Sequence, residues 1–178
     1  MITINKILGN IKKDSLLEQK YRELFKENLV ENVTIQRSES GKVRMRKTSD
    51  KGTDIGFILS PGTQLKDQDV VFLDDDKMIL VKLTAELVAV ISFKSQSFYN
   101  DQNQYHFDLI NIAIKIGHTI GNLHRPLKLK ENKIIFPIQT TDEINLFQKL
   151  LVDVKDYINI TFDEIIFEPD QGFDIHEH

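Results

Sequence analysis

The chain of 178 residues has no cysteine. That removes disulfide frameworks, thiolate zinc sites, Fe–S clusters and cysteine nucleophiles from consideration, and it fits a reducing compartment. No apolar run approaches the ~20 residues needed to span a bilayer, so no membrane association is expected. The opening Met1-Ile2-Thr3-Ile4-Asn5-Lys6 lacks the basic and long apolar regions of a secretory signal, and the expected location is cytoplasmic. Excess basic charge is also missing. A net charge of −4 and a pI near 5.7 argue against nucleic acid as a partner. Lys42, Arg44, Arg46 and Lys47 alternate along a strand-like run and read as a solvated face.

Catalytic signatures are absent as well. There is no P-loop, G-x-G-x-x-G, nucleophile elbow or H-E-x-x-H pair, and Asp74-Asp75-Asp76 lacks the alternating ligands and glycine of an EF-hand. Glu164, Glu168 and Asp170 are acidic neighbours, but nothing sets them opposite one another as an acid/base pair. The expectation is a protein that is not an enzyme.

The apolar pattern is that of an α+β protein. Residues 2–8 read as a short strand. Leu16, Leu17, Tyr21, Leu24 and Phe25 recur at helical spacing within 14–28. Strand-like runs follow near 33–37, 42–47, 54–59, 69–73 and 78–83, separated by Ser40-Gly41, Asp50-Lys51-Gly52, Pro61-Gly62 and the acidic run. Short strands this close together predict a small β-sandwich or pair of packed sheets over 1–84.

From Ala85 the rhythm changes. A strand over 86–93 is followed by a polar loop over 98–104. Next comes a helix with Leu109, Ile110, Ala113, Ile116, Gly117 and Ile120 on its buried face. Strands at 127–130 and 133–137 flank the Glu131-Asn132 turn. Thr140 and Glu143 form a capping-box pattern for a second helix, whose buried stripe is Ile144, Phe147, Leu150, Leu151 and Val154. A last strand covers 158–167. The order β-α-β-β-α-β predicts a ferredoxin-like domain over 85–169, followed by a short mobile tail, 170–178.

Five histidines remain to be placed: His106, His118, His124, His176 and His178. His118 shares a helix face with Asp108, Asn111 and Lys115 and reads as solvated, and His106 has still less to recommend it. His124 follows Gly121-Asn122, which is expected to close the helix in the left-handed conformation, and precedes Pro126, which prevents re-entry. Its imidazole therefore sits on a rigid turn. His176-Glu177-His178 looks native rather than the remnant of a tag. Neutral imidazole is a strong ligand for nickel, copper and zinc.

One rigid imidazole cannot fill a metal shell. Two copies of His124 related by a two-fold axis supply two ligands, and tails carrying His176 and His178 supply others. This predicts a metal site that exists only in the homodimer, with fewer than one tight metal per protomer. Protons compete for imidazole, so binding should weaken as pH drops below about 6.5.

These elements resemble the UreE family of urease accessory proteins, the nickel metallochaperones. Gly52-Thr53-Asp54-Ile55-Gly56-Phe57-Ile58-Leu59 is similar to the family's glycine-rich strand pair. Pro61-Gly62 with Leu65 and Asp69 resembles R-G-x-x-L-x-x-G-D, with the arginine missing and Gln68 in place of the second glycine. Ile120-Gly121-Asn122-Leu123-His124-Arg125-Pro126 resembles L-G-N-R-H-x-P, with Leu123 replacing the arginine. Phe167-Glu168-Pro169-Asp170-Gln171-Gly172 resembles F-E-P-E-x-G before a histidine-bearing tail. The stretch 14–30 looks like an insertion.

The resemblance implies an N-terminal domain similar to chaperone peptide-binding domains and a ferredoxin-like domain that dimerises. It makes His124 the interfacial ligand for Ni(II), with Zn(II) or Cu(II) as competitors at the same site, and assigns His176 and His178 to the tail ligands. It further implies a homodimer, with a metal-linked tetramer as an alternative. Nickel would pass to the urease accessory GTPase UreG and the apo-urease accessory complex. Near Ile138, Gln139 and Thr140 the further histidines of some members are missing, so a second site is not expected. The rival reading is a peptide- or protein-binding module that binds metal incidentally.

Overall fold

The computed structural model describes residues 1–94 and 102–170, with 102–108 described through their backbone alone. The chain divides into two compact units, Met1–Thr84 and Ala85–His178. The first is rich in strands and the second combines strands with helices, an α+β architecture.

In the first unit, β1 (Ile2–Ile4), β5 (Asp54–Ile58) and β4 (Arg44–Thr48) form a sheet of order β1-β5-β4. A second sheet has β2 (Gly9–Asn10), β6 (Asp69–Leu73), β7 (Met78–Leu83) and β3 (Val30–Ile35) in the order β2-β6-β7-β3. Ile4, Ile55 and Phe57 of one sheet and Val33, Ile35, Val71, Ile79 and Val81 of the other share one buried cluster. The expected strand over 2–8 is in fact two short strands. Ile2–Ile4 pairs in parallel with Ile55–Phe57, then the chain changes sheets and Gly9–Asn10 pairs antiparallel with Asp69–Val70. The polar Asn5 and Lys6 fall at the crossing.

The predicted helix is α1 (Ser15–Lys26). Asp14 caps it, its carboxylate accepting from the amides of Leu16 and Leu17 at 2.9 and 3.2 Å. Leu24 is buried against Val30, Val70, Met78 and Leu80, so this stretch is an integral part of the unit's packing.

Two carboxylates brace the first unit and make its stability acid-sensitive. Lys47 at 2.6 Å and Lys42 at 3.2 Å hold Glu39 down to about 2 from its ordinary 4.5. Burial pushes the Glu31 carboxyl up, but hydrogen bonds from Lys77 and Ser49 outweigh it and the net shift is downward. Groups lowered on folding contribute stability above their unfolded pKa, and that stability is lost as pH falls through the folded value. Asp69, raised by burial, acts in the opposite sense. The expected result is a urea midpoint for this unit that falls between pH 4.5 and about 2, and falls less in Glu39→Gln. A midpoint equally acid-sensitive in both proteins would remove Glu39 from the account.

The second unit contains β8 (Glu86–Phe93), α2 (Gln102–Asn122), β9 (Lys128–Lys130), β10 (Lys133–Pro137), α3 (Glu143–Leu150) and β11 (Ile158–Ile165). Its sheet has the order β11-β8-β10-β9, antiparallel at every pairing. The loop expected over 98–104 lies outside the described residues as far as 101, and from Gln102 the chain is helix. Alternation along the strands gives the sheet two apolar faces. Ala89, Ile91, Ile134 and Phe136 pack against α2 and α3, while Val88 and Ile135 turn the other way and meet Phe167.

Two helix faces depart from expectation. Among the described side chains of α2 the buried ones are Ile112, Ile116 and Ile120. Ile110, Ala113 and Gly117, expected in the core, are exposed, and so is Ile114. With isoleucine at 110, 112, 114, 116 and 120, the helix is apolar over two arcs, and only one fits against its own sheet. In α3 Phe147 is buried and Leu150 is 43% exposed, while Leu151, just past the helix end, is buried. Thr140 does not cap α3; Asp142 stands at the cap position. The Glu143 carboxylate instead accepts from the Gln139 amide at 2.8 Å.

Candidate metal centre

His124 lies at the end of α2, and the helix ends in an unusual way. The Arg125 amide donates to the Ile120 carbonyl at 3.4 Å and the His124 amide to Gly121 at 2.9 Å. This is the paired 6→1 and 5→2 arrangement of a Schellman ending, whose left-handed position normally takes glycine. Here that position is His124, with φ of 50°. Gly121 and Asn122, expected to supply the left-handed residue, are the last residues of the helix. They stay helical because Leu123 and Arg125 both still reach the Ile120 carbonyl. Histidine is among the few residue types other than glycine enriched in this region, at some strain.

The turn is held from its far side. The Arg125 guanidinium donates to Glu143 at 2.8 Å and to the Pro137 carbonyl at 3.4 Å. Both side chains of the Arg125–Glu143 pair are largely buried, with exposures of 25% and 17%. The sequence reading missed this role of Glu143, which ties the turn to the start of α3. His124 itself is exposed, on a backbone held at both sides.

The other candidates divide in two. His118 is exposed, with Asn122 Nδ2 at 2.9 Å from its Nε2. It lies one turn from Ile114 on the border between the exposed apolar arc and the polar side of α2. His176 and His178 lie outside the described residues, and of His106 only the backbone is described. Among the described residues no group of three or more His, Asp or Glu is placed to hold a metal ion. His124 thus offers one ligand and no complete set within one described chain.

An exposed apolar arc leads to that turn. Ile110 and Ile114 are 59% and 64% exposed. Ala113, Gly117 and Gly121 lie on the same side, with open space where a Cβ would stand on either glycine. Sequence periodicity placed Ile110, Ala113 and Gly117 of this arc in the core. The available signal was the number of isoleucines, too many for a helix with a single buried face.

Among the described residues no helix is long and apolar enough to cross a membrane. The family described as "UreE urease accessory protein, N-terminal domain" matches residues 4–84, a range that includes α1. The chain is 30% identical over 138 residues to the urease accessory protein UreE of Yersinia pestis (strain Pestoides F). It stands at the same identity and length to that of Yersinia pseudotuberculosis serotype O:1b (strain IP 31758). These matches cover 78% of this chain, so they run beyond the first unit, and the chain spans 57% of the length of those relatives. With a family match over the first unit and relatives whose similarity continues into the second, the chain is similar to the UreE urease accessory proteins beyond the N-terminal domain that the family describes.

Proposed function

We propose that the protein is a nickel carrier in urease maturation. It binds Ni(II) between two copies of itself and releases the ion to the maturation machinery, with the accessory GTPase UreG as recipient in the cytosol. The observation that carries this reading is the placement of His124. An exposed imidazole occupies a strained backbone position that glycine would fill without cost, at the end of an exposed apolar arc. The relatives' name, urease accessory protein, supports the cellular role.

The arc explains how a single ligand becomes a site. Covering Ile110 and Ile114 with the same surface of a second copy removes apolar area from water, and Gly117 and Gly121 permit close approach of the two backbones. A two-fold axis through this face brings both His124 turns to one place, so each metal receives an imidazole from each copy. His176 and His178 fill further positions. The antiparallel order β11-β8-β10-β9 with the β-α-β-β-α-β succession supports a ferredoxin-like reading of 85–169 as the dimerising and metal-binding domain. The N-terminal domain, 1–84, contacts partners, and 170–178 is the ligand-bearing tail. Ni(II) is cargo here, and Zn(II) and Cu(II) compete for the same imidazoles. No substrate bond is broken, so the protein acts as a carrier rather than an enzyme.

Titration of the purified protein with Ni(II) at neutral pH, with molar mass followed by light scattering, tests this. One tight nickel per pair of chains is expected. One tight nickel per chain in a monomer would overturn the interfacial site and favour the rival reading, a partner-binding module with incidental metal.

A further inference from the structure

The chain leaves β11 at one edge of its sheet and reaches the opposite edge within five residues. Ile165 ends β11, the outermost strand on one side, and β9 is outermost on the other. Between them Phe167, 1% exposed, packs on Val88 and Ile135 on the face turned away from the helices. Pro169 stiffens the next step. Asp170 then grips the outer edge of β9 at two points. Its carboxylate accepts from the Leu129 amide at 2.8 Å, and its own amide donates to the Leu127 carbonyl at 3.2 Å. Those two groups face away from β10, so Asp170 satisfies backbone that an edge strand otherwise leaves to water.

We propose that Phe167 and Asp170 are positioning residues: they strap the chain across the sheet and root the histidine-bearing tail beside the His124 turn. This rests on the metal reading above and gives the strap its purpose. Leu127, which Asp170 bonds, is three positions from His124, a span of at most ~11 Å. His176 lies six positions beyond Asp170, a reach of ~20 Å. Rooted there, a tail imidazole meets a metal on the His124 turn as a tethered ligand. Strands lie ~4.8 Å apart, so a tail starting from the end of β11 would begin ~14 Å further across the sheet. It would also carry five more flexible residues. The longer tether and displaced origin dilute the tail ligands several-fold at the metal.

The absence of native cysteine makes the test direct, because Asp174→Cys creates a unique attachment point for a nitroxide. In the metal-free protein the label is expected to broaden the amides of 123–129 most, with broadening declining across the sheet towards 158–165. Asp170→Ala in the labelled chain should flatten that gradient and deprotect the Leu129 amide in hydrogen exchange. Adding Phe167→Ala should flatten it further. Nickel affinity should fall about twofold in Asp170→Ala and about five- to tenfold in the double variant. Where the double variant does not fold, Asp170→Ala alone decides, since its side chain serves the edge of the sheet and not the core. A gradient that is flat from the start, or unchanged by Asp170→Ala, overturns the strap. A steep gradient together with nickel binding indifferent to His124→Ala would instead overturn the metal reading and leave the rooting of the tail standing.

Discussion

Replacing His124 with glycine is expected to abolish tight nickel binding and, at the same time, to stabilise the second unit. The two effects have separate origins. The left-handed conformation at φ of 50° costs a residue with a Cβ roughly 1 kcal/mol that glycine does not incur. Glycine's extra freedom in the unfolded chain offsets part of this, leaving a net gain of about 0.5 kcal/mol. The metal loses one imidazole per chain, hence two per dimer. The weakening should be at least about a hundredfold, on the order of 3 kcal/mol. Calorimetric nickel titration reads the first effect and urea unfolding at neutral pH reads the second. His124→Asn is the control: asparagine tolerates the same backbone and should leave stability unchanged while losing the metal. A His124→Gly protein that gains stability and keeps its nickel would show that the imidazole is not a ligand. A protein that loses both would make His124 a structural residue.

That opposition in sign is informative about the molecule. A helix end that needs only to stop is best served by glycine, and one stands three positions earlier, inside the helix at Gly121. Histidine held in the strained position anchors its imidazole to a backbone that the helix ending fixes. Arg125 and Glu143 complete the support by tying the following residue to the start of α3.

Much of this architecture is legible in the sequence because it is local. Asp14 before the spacing Leu17, Tyr21, Leu24 specifies α1, and the unbroken apolar run within 86–93 specifies β8. The errors arise where local pattern has more than one solution. Leu109, Ile110, Ala113, Ile116, Gly117 and Ile120 form a plausible face, but periodicity cannot tell an arc that meets the chain's own sheet from one left open. At the end of α2, Gly121-Asn122 is the expected stop, and only the hydrogen bonds from Leu123, His124 and Arg125 reveal that the reversal comes later. The Asp170–Leu129 bond joins residues 41 apart and has no local signature at all. The imidazole at 124 was legible, whereas the groups that position it and the tail depend on tertiary structure.

Ile114→Asp is expected to produce a folded monomer that has lost its tight nickel site. Ile114 is 64% exposed within one chain, so the substitution removes no core contact, and its effect on monomer stability should stay within about 0.5 kcal/mol. At a two-fold interface the same change places two carboxylates in an apolar contact without partners, costing several kcal/mol. The dimer dissociation constant should therefore rise at least about a hundredfold, on the order of 3 kcal/mol. Sedimentation across a concentration series reads this directly, with unchanged far-UV circular dichroism showing that the fold persists. Ile112→Asp, two positions earlier on the buried arc at 4% exposure, should instead unfold the unit, which separates loss of assembly from loss of structure. Nickel affinity then decides what the interface is for. If the site needs His124 from both copies, the Ile114→Asp monomer binds the ion no more tightly than His124→Gly does. If that monomer keeps full affinity, the metal shell is complete within one chain. If Ile114→Asp remains a dimer, the copies meet elsewhere and the exposed arc of α2 serves a different partner.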